Sequence, residues 1–421
     1  MRAPVGRNLS APRYGVIPVK LPLIVLKSLR QHALSTSVTV VCIALAAGLL
    51  MSVWSVKDQS QAAFTGVNGG FDAVLGARGS KLQLVLNAIF HLESSPGNLP
   101  WQDYIEIQKN PNVELAVPIA VGDNYHGYRL VGTTLDFFAP TGLTPARRFT
   151  VAPGGRLFDP TLREAVVGSF VARKLGLKPG DTFHPFHGLI YDERNQHSET
   201  YLVVGLLRPS NTPADRVIWI PLEGIQKMTG HDPKAAEDIS AVLVKLKGGS
   251  ALAGFQMDLM YNKQGNRLTF AWPIGRVVAE LFDKLGWFDR VLALVCYLVA
   301  IVATASILAG IYNSMNGRRR EIAILRALGA RRLTVLAAVL LEAATIAALG
   351  SVLGFAIYGL IVTVVSAVIR TQTGVVLDPL KFNPVLLWAP AALVVLGALA
   401  GIVPGLKAYR TEVAEHLTPT S

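Results

Sequence analysis

The hydrophobic pattern divides the chain into four long apolar runs and one large, more polar stretch. The first run is "VTVVCIALAAGLLMSVWSV", Val38–Val56, and as a helix its 19 residues would span roughly 28 Å, close to the hydrocarbon thickness of a membrane. Similar runs cover residues 291–313, 333–369 and 385–406. The third is too long for one upright crossing and suits a tilted helix. The pattern therefore predicts four transmembrane helices.

The polar stretch between the first two runs predicts a separate domain of mixed helix and strand. Residues 80–110 repeat apolar positions at helical spacing, whereas after Pro111 short runs rich in β-branched residues alternate with Gly, Pro and Asp turns. Residues 274–288 are helical again, and we expect this helix to join the second span as a rigid stalk. The predicted fold class is an α+β membrane protein with four transmembrane helices and a large mixed α/β domain between the first and the second.

The distribution of charge argues against a nucleic-acid partner. The chain has 421 residues, is 51% hydrophobic and carries a net charge of +12. Residues 1–37 hold six basic residues and no acidic one, and residues 314–332 hold six arginines and one glutamate. Residues 57–290, by contrast, hold 24 basic and 23 acidic residues. Because the positive charge flanks the apolar runs, it indicates orientation in a bilayer.

Basic residues near membrane helices remain on the cytoplasmic side, which predicts that both termini and the 314–332 loop are inside. In the N-terminal arm, Lys20, Lys27 and Arg30 lie among leucines and predict an amphipathic helix along the membrane surface. The predicted segments are the arm 1–37, first span 38–56, outer domain with stalk 57–286, second span 287–313, cytoplasmic coupling loop 314–332, third span 333–369, short outer loop 370–384, fourth span 385–406 and cytoplasmic tail 407–421.

The cytoplasmic loop contains "RRREIAILRALGARR", Arg318–Arg332, which predicts a short basic helix. Ile322, Leu325 and Leu328 recur at helical spacing on one face, and Gly329 provides a stop. A simple topology signal would explain the arginines alone. A compact apolar face between two membrane helices also suits the docking of a partner.

The residues around this loop resemble the FtsX-like permease family, the four-helix membrane subunits related to MacB and to the lipoprotein-releasing LolC and LolE. The outer-domain segments "EAVVGSFVARKLGLKPGDTF" and "YLVVGLLRP" are similar to the MacB-type periplasmic core. The C-terminal "GIVPGLKAYRTEVAEHL" also resembles the family's ending. The matching permease positions are Asn313, Arg320, Glu321, Ile322, Leu325, Arg326, Ala327, Gly329, Ala330, Arg331, Arg332, Glu342, Ala343, Gly350 and Gly354.

The resemblance implies that the short helix couples the chain to a separate cytosolic ABC ATPase, present in two copies. Two permease chains, identical or homologous, would pair in the inner membrane of a bacterium, with the large domain in the periplasm and in contact with membrane lipids. ATP and Mg²⁺ would be bound by the ATPase, so this chain needs no cofactor of its own. The coupling residues would be Arg320, Glu321, Ile322, Leu325, Arg326, Ala327, Gly329 and Ala330, with Arg326 as the leading polar contact.

No ATPase motif accompanies these residues, unlike in MacB, where the ATPase is fused to the permease. A phosphate-binding loop needs the spacing G-x-x-x-x-G-K-[ST], and the nearest segment, "GARGSK" at Gly76–Lys81, lacks it. We therefore do not expect the chain to be an enzyme, and no Ser-His-Asp grouping or activated cysteine suggests otherwise.

Three functions remain open on sequence alone. The first is transport by a MacB/LolCDE-like system that handles a lipid, lipoprotein or efflux cargo on the periplasmic side, with a periplasmic adaptor or lipoprotein chaperone as a further partner. The second is an FtsX-like regulator that activates a periplasmic hydrolase, which the larger, strand-rich domain disfavours. The third is a membrane-anchored periplasmic metal-binding protein.

Polar and small residues in the third apolar run are candidate intramembrane positions. Glu342 is costly inside a bilayer unless it is paired, for example with Arg331 or Arg332, and the resemblance favours a structural pairing. Gly350 and Gly354 form part of a small-residue face that lets helices approach closely. That face could serve packing within one chain or the contact between two.

The outer domain holds a weak metal-site candidate in "FHPFHGLIYDERNQH". His184, His187 and His197, with Asp192, are ligand types that zinc accepts. These residues lie in a loop that contains Pro and Gly, and such a loop does not fix the relative positions of their side chains. From sequence we therefore favour solvated loop histidines and predict no metal site.

Overall fold

The computed structural model resolves two compact units, which are described separately. The helical unit comprises the described parts of Met1–Ser55, Val291–Ile361 and Leu380–Ser421, and the sheet unit comprises those of Val56–Arg290 and Val362–Pro379. The beginning of the predicted N-terminal arm and the end of the predicted tail lie outside the described residues. The structure describes residues 21–139, 149–231, 237–317, 319–327 and 330–410.

Four helices within the described residues are long and apolar enough to cross a membrane, and they coincide with the four apolar runs. Between the second and third lies the short helix α10. The amphipathic segment of the N-terminal arm forms the separate helix α1. The bounds are α1 Leu21–Gln31, α2 Ala33–Thr65, α9 Gly286–Gly317, α10 Arg319–Ala327, α11 Arg332–Thr373, α12 Val385–Ala400 and α13 Ile402–Arg410.

Two of these helices are much longer than the spans expected from hydropathy. At about 1.5 Å per residue, the 33 residues of α2 and the 42 residues of α11 reach roughly 50 and 63 Å, more than a hydrocarbon core requires. After α11, Val375 lies in the apolar core of the sheet unit. The predicted short loop 370–384 is therefore partly helix and partly a packed segment of that unit.

The predicted continuous stalk before the second span is wrong in one respect. Helix α8, Ile274–Lys284, ends before Leu285, and α9 begins at Gly286. Glycine has the greatest backbone freedom of any residue and is a poor helix former, which accounts for a break at this position. The stalk is thus two helices in succession.

The sheet unit is built on a mixed β-sheet. Most of the strands coincide with the β-branched runs after Pro111, whereas β1, β5, β6 and β10 were not predicted. The strands in the described residues are β1 Ala73–Ala77, β2 Val113–Tyr125, β3 Tyr128–Thr133, β4 Glu164–Val167, β5 Thr182–Phe183, β6 Phe186–His187, β7 Tyr201–Leu206, β8 Ile218–Pro221, β9 Ala241–Leu246 and β10 Leu268–Ala271.

The strand order is β10-β1-β9-β2-β3-β8-β4-β7-β5, and β6 pairs with β2 away from this path. Pairs β3–β8 and β4–β7 are parallel and the others antiparallel. Successive side chains alternate between two apolar cores, as in β1, where Ala73 and Leu75 lie in one core and Val74 in the other. Both faces of the sheet are therefore buried.

Short helices supply the partners for the two faces. Leu84 and Val85 of α3 lie in one core, and Tyr104 and Ile107 of α4 lie in the other. The combination of a covered mixed sheet and four apolar helices confirms the predicted fold class. The helices of the sheet unit, besides α8, are α3 Lys81–Ala88, α4 Trp101–Gln108, α5 Ser169–Leu175, α6 Leu222–Gln226 and α7 Ala251–Leu259.

Candidate functional site

The predicted coupling segment forms the nine-residue helix α10, and two successive residues attach it to the helical unit. Ile322 and Ala323 are buried. Ile322 belongs to the same apolar cluster as Met315 near the end of α9 and Val335 near the start of α11. One apolar cluster thus joins α10 to both flanking helices.

Another part of the α10 surface is accessible. Ile324 is 44% exposed and Ala327 is exposed, whereas Arg326 and Ala330 are half-buried. An exposed isoleucine followed one turn later by an exposed alanine gives the helix a small apolar surface suited to a protein groove. Of the other predicted coupling residues, Arg320, Glu321 and Leu325 lie on α10 with side chains that the structure does not describe, and Gly329 lies outside the described residues.

Basic and aromatic side chains meet at the end of the helical unit that carries α10. The guanidinium of Arg332 lies 5.6 Å from the centre of the Tyr409 ring. Lys407 Nζ donates a hydrogen bond to Tyr312 Oη at 2.6 Å. These contacts join α9, α11 and α13 where positive charge concentrates, in keeping with a cytoplasmic membrane interface.

Glu342 receives a hydrogen bond from the α1 helix. The Ser28 hydroxyl, which is buried, donates to Glu342 Oε1. Sequence reasoning had considered Arg331 or Arg332 as partners and had not identified Ser28. The contact ties α1 to α11 and gives the carboxylate a structural partner.

Gly350 and Gly354 pack α11 against α2 within one chain. A Cβ at Gly350 would lie 2.6 Å from Ile43 Cβ, and one at Gly354 would lie 2.7 Å from Ala47 Cβ. A Cβ at Gly359, farther along the same helix, would meet no atom within 4 Å. The first two glycines therefore serve close packing inside the chain, which was one of the two interpretations that the sequence allowed.

In the sheet unit, four potential metal ligands from separate segments converge: Asp123, His187, His197 and His231. Asp123 lies at an irregularity in the pairing of β2 with β3, where the register shifts between Val121 and Asn124. Bulges of this kind redirect side chains. His187 in β6 stands directly opposite Asp123 in the β2–β6 pair. We call these four residues the His3Asp cluster.

The His3Asp cluster is centred on one carboxylate oxygen. Asp123 Oδ1 lies 3.2 Å from Nε2 of both His197 and His231, and 3.5 Å from Nδ1 of His187. The Asp123 side chain is 0% exposed, whereas that of His187 is 53% exposed. The three imidazole centres are 5.1–5.4 Å apart. The cluster is thus a buried carboxylate surrounded by three rings, one of which borders solvent.

Backbone carbonyls orient the two less exposed histidines. His197 Nδ1 donates to Thr229 O at 2.8 Å, and His231 Nδ1 donates to Ile225 O at 2.8 Å. Burial tends to raise the pKa of Asp123, but hydrogen bonds from the two histidines outweigh it and lower the pKa. The same bonds to Asp123 raise the pKa of His197 and of His231.

The structure brings together only some of the histidines that the sequence suggested as metal ligands. His187 and His197 enter the cluster, and the expectation of a solvated loop histidine is wrong for His197, which is buried. His184 instead lies against the carbonyl of Glu199, at 3.1 Å. Sequence reasoning missed Asp123 and His231, because no local spacing links them to the histidine-containing loop.

Comparison with known proteins gives two family matches. The FtsX-like permease C-terminal model matches residues 293–413, and the MacB-like periplasmic core domain model matches residues 33–260. No curated protein sequence matches the chain.

Two solved structures are similar to about half of the chain. One is the crystal structure of the periplasmic region of MacB from Actinobacillus actinomycetemcomitans, at 11% identity and a TM-score of 0.33, covering 52% of this chain and 94% of that one. The other is the extracellular domain of the noncanonic ABC-type transporter YknZ from Gram-positive bacteria, at 17% identity and a TM-score of 0.29, covering 47% of this chain and 99% of that one.

The two family matches together extend over both units and include α10. Permeases of this type work with a cytosolic ABC ATPase and are not themselves ATPases. The chain belongs to the FtsX-like ABC transporter permeases that carry a MacB-like periplasmic core domain.

Proposed function

We propose that this chain transmits ATP-driven motion from a separate ATPase, docked on α10, to the sheet unit. The observation that supports the proposal most strongly is that one part of the α10 surface is buried and another part is exposed. Ile322 and Ala323 are buried in the helical unit, while Ile324, on the side away from Ile322, and Ala327, one turn after Ala323, are exposed. A short helix held in this way can receive a contact from a partner and pass it to the helices beside it.

The transmission route follows packed side chains. A push on the exposed side of α10 presses Ile322 against the cluster that contains Met315 and Val335. Those residues lie at the ends of α9 and α11 that adjoin α10 in the chain. Because interiors at this packing density deform little, movement of α10 shifts both helices together. A cytosolic ATPase that binds ATP and Mg²⁺ drives the motion, and this chain transmits it.

The proposal includes an orientation in the inner membrane of a bacterium. Both termini and α10 face the cytoplasm, and the sheet unit faces the periplasm. Support comes from the arginine-rich 314–332 loop and from the Arg332 and Lys407 contacts at the same end of the helical unit. Two permease chains, identical or homologous, act with two ATPase subunits.

We assign cargo handling to the periplasmic side. The sheet unit contains an open cavity of about 540 Å³ whose lining mixes apolar and polar side chains, among them Trp101, Leu135, Leu222 and Lys227. Such mixed linings suit amphipathic molecules. A lipid, a lipoprotein or an amphipathic efflux substrate, passed to an adaptor or lipoprotein chaperone, fits this chemistry.

The docking role is tested by affinity purification of the full chain from native membranes in mild detergent. We expect an ABC ATPase to accompany the wild-type chain. Ile324→Glu places a charge on the exposed apolar surface of α10, and Arg326→Glu reverses the charge of the half-buried arginine two positions farther along. Either change should remove most of the co-purifying ATPase without reducing the amount of chain in the membrane.

A matched control uses the same chemistry in the sheet unit. Ile190 is 84% exposed, so Ile190→Glu should leave ATPase recovery unchanged. Full ATPase recovery with both α10 variants would overturn the docking role. Recovery of a periplasmic hydrolase together with the ATPase would favour the regulator function over transport.

A further inference from the structure

The His3Asp cluster has the composition and the spacing of a zinc site. Zinc is bound by histidine nitrogens and carboxylate oxygens, at about 2.0–2.1 Å in a tetrahedral arrangement, which puts neighbouring ligand atoms roughly 3.3 Å apart. The three distances from Asp123 Oδ1 to the histidine nitrogens are 3.2, 3.2 and 3.5 Å. All four potential ligand atoms lie within 4.8 Å of one another. To complete a tetrahedron, the histidine nitrogens that lie farthest apart would move together from at most 4.8 Å to about 3.3 Å.

The hydrogen bonds around the cluster select the tautomer that metal binding needs. In His197 and His231 the Nδ1–H group donates to a backbone carbonyl, so in the neutral ring Nε2 carries a lone pair. Both lone pairs then point at the Asp123 carboxylate. Histidine ligands of metal ions are commonly held by this kind of carbonyl hydrogen bond on the other ring nitrogen.

Lone pairs facing a carboxylate oxygen repel it unless positive charge lies between them. Without a metal, that charge comes from a second proton on each ring, which makes the hydrogen bonds from His197 and His231 to Asp123. One divalent cation supplies the charge to all three histidines at once. The cation would also neutralise charge on the second carboxylate oxygen, Asp123 Oδ2, which is fully buried and receives no hydrogen bond from the described residues.

A route for an ion leads to the cluster. An open cavity of about 320 Å³ borders it, with His187, His231, Gly122 and Ser240 in its lining. The exposed side of His187 faces solvent, while Asp123 and His197 form the buried side. A metal ion can therefore enter past His187 and reach ligands that are already positioned.

We propose that Asp123, His187, His197 and His231 bind one divalent zinc ion in the sheet unit. Three nitrogen ligands out of four favour zinc over magnesium or calcium, which prefer oxygen. The ion would join β2, β6, the segment before β7 and the segment after α6. The site stands on these residues alone and does not depend on ATPase docking.

The test uses the full-length chain in detergent, stripped with a chelator, exposed to Zn²⁺ and then desalted. We expect one zinc ion per chain by elemental analysis, retained in competition with a chelating indicator dye. His187→Ala is the first variant, because the half-exposed ring can be removed with little effect on folding. We expect it to weaken binding by more than about tenfold, since losing even an outer hydrogen-bond partner costs about 10–100-fold. His184→Ala, which changes a histidine outside the cluster, should bind like the wild type.

Cobalt provides a readout that needs no variant. Co²⁺ in a tetrahedral site of nitrogen and oxygen ligands gives intense visible absorption, and added Zn²⁺ should abolish it. Less than stoichiometric zinc in the wild type, equal binding by His187→Ala, or only the weak absorption of six-coordinate Co²⁺ would each overturn the proposal. Those results would identify the cluster as a carboxylate–imidazolium group without a metal.

Discussion

The helical unit and the sheet unit bury their interiors in different ways. In the helical unit, α11 approaches α2 so closely that glycine is required at Gly350 and Gly354. In the sheet unit, Asp123 and Asp215 are buried among partners that bind or neutralise charge, and the half-buried His91 has an enclosed ring nitrogen. The stability of the helical unit therefore depends on close packing, and that of the sheet unit depends on the protonation of enclosed groups. Different perturbations should destabilise the two units.

Added bulk should produce the largest effect, and it should do so in the helical unit. In Gly354→Leu the new side chain meets Ala47 Cβ at 2.7 Å and backbone atoms of Ala44 and Gly48, which cannot move aside like a flexible side chain. We expect a loss at or beyond the upper end of the roughly 1–3 kcal/mol that overpacking costs. The measurement is the thermal unfolding midpoint of the purified full chain in detergent.

The matched control lies on the same helix. Gly359→Leu introduces the same side chain where a Cβ meets no atom within 4 Å, so the cost should be below about 0.5 kcal/mol. Equal destabilisation by the two variants would show that the close packing of α2 and α11 is not what the glycines provide.

Acidification should lower the stability of the sheet unit by a smaller amount, which increases gradually as the pH falls. Burial, followed by the nearby charges of Arg129 and Arg216, lowers the pKa of His91 to about 3. Between that value and the ordinary pKa of histidine, about 6.5, the unfolded chain binds the proton more readily than the folded chain. Stability should therefore fall as the pH drops through this window, by up to about 1.4 kcal/mol per pH unit.

His91→Asn should remove this component, because asparagine tolerates the positive φ of 54° at this position and does not titrate. The measurement is the difference in unfolding midpoint between wild type and variant from pH 7 to pH 4. His126→Asn is the control: its histidine is exposed and also has a positive φ, of 48°. If the wild type and His91→Asn lose stability in parallel, His91 does not carry the effect.

The helices of the fold could be predicted because their signal is local. An apolar run long enough to cross a membrane, or the spacing of Ile322 within a basic segment, is visible in one stretch of sequence. The six strands that coincide with β-branched runs after Pro111 were predictable for the same reason. The break at Leu285 was not recognised, although the following Gly286 gives a local signal for it.

The His3Asp cluster could be predicted only in part because its residues are distant from one another in sequence. His187 and His197 are ten residues apart and, with His184, form one group of candidate ligands in the sequence. Asp123 joins them through the pairing of β6 with the bulged strand β2, and His231 through the end of α6. Strand pairing and bulges depend on tertiary structure, so no spacing rule in the sequence indicates them.

The central claim, that α10 and the sheet unit lie on opposite sides of the membrane, is tested most directly by cysteine labelling. Glu193→Cys in the sheet unit and Ala327→Cys on α10 would be made in a chain whose Cys42 and Cys296 are replaced by alanine; both new positions are exposed. With a membrane-impermeant maleimide on spheroplasts, we predict that Glu193→Cys reacts at once and Ala327→Cys only after lysis. Reaction of both positions from the same side would contradict the account.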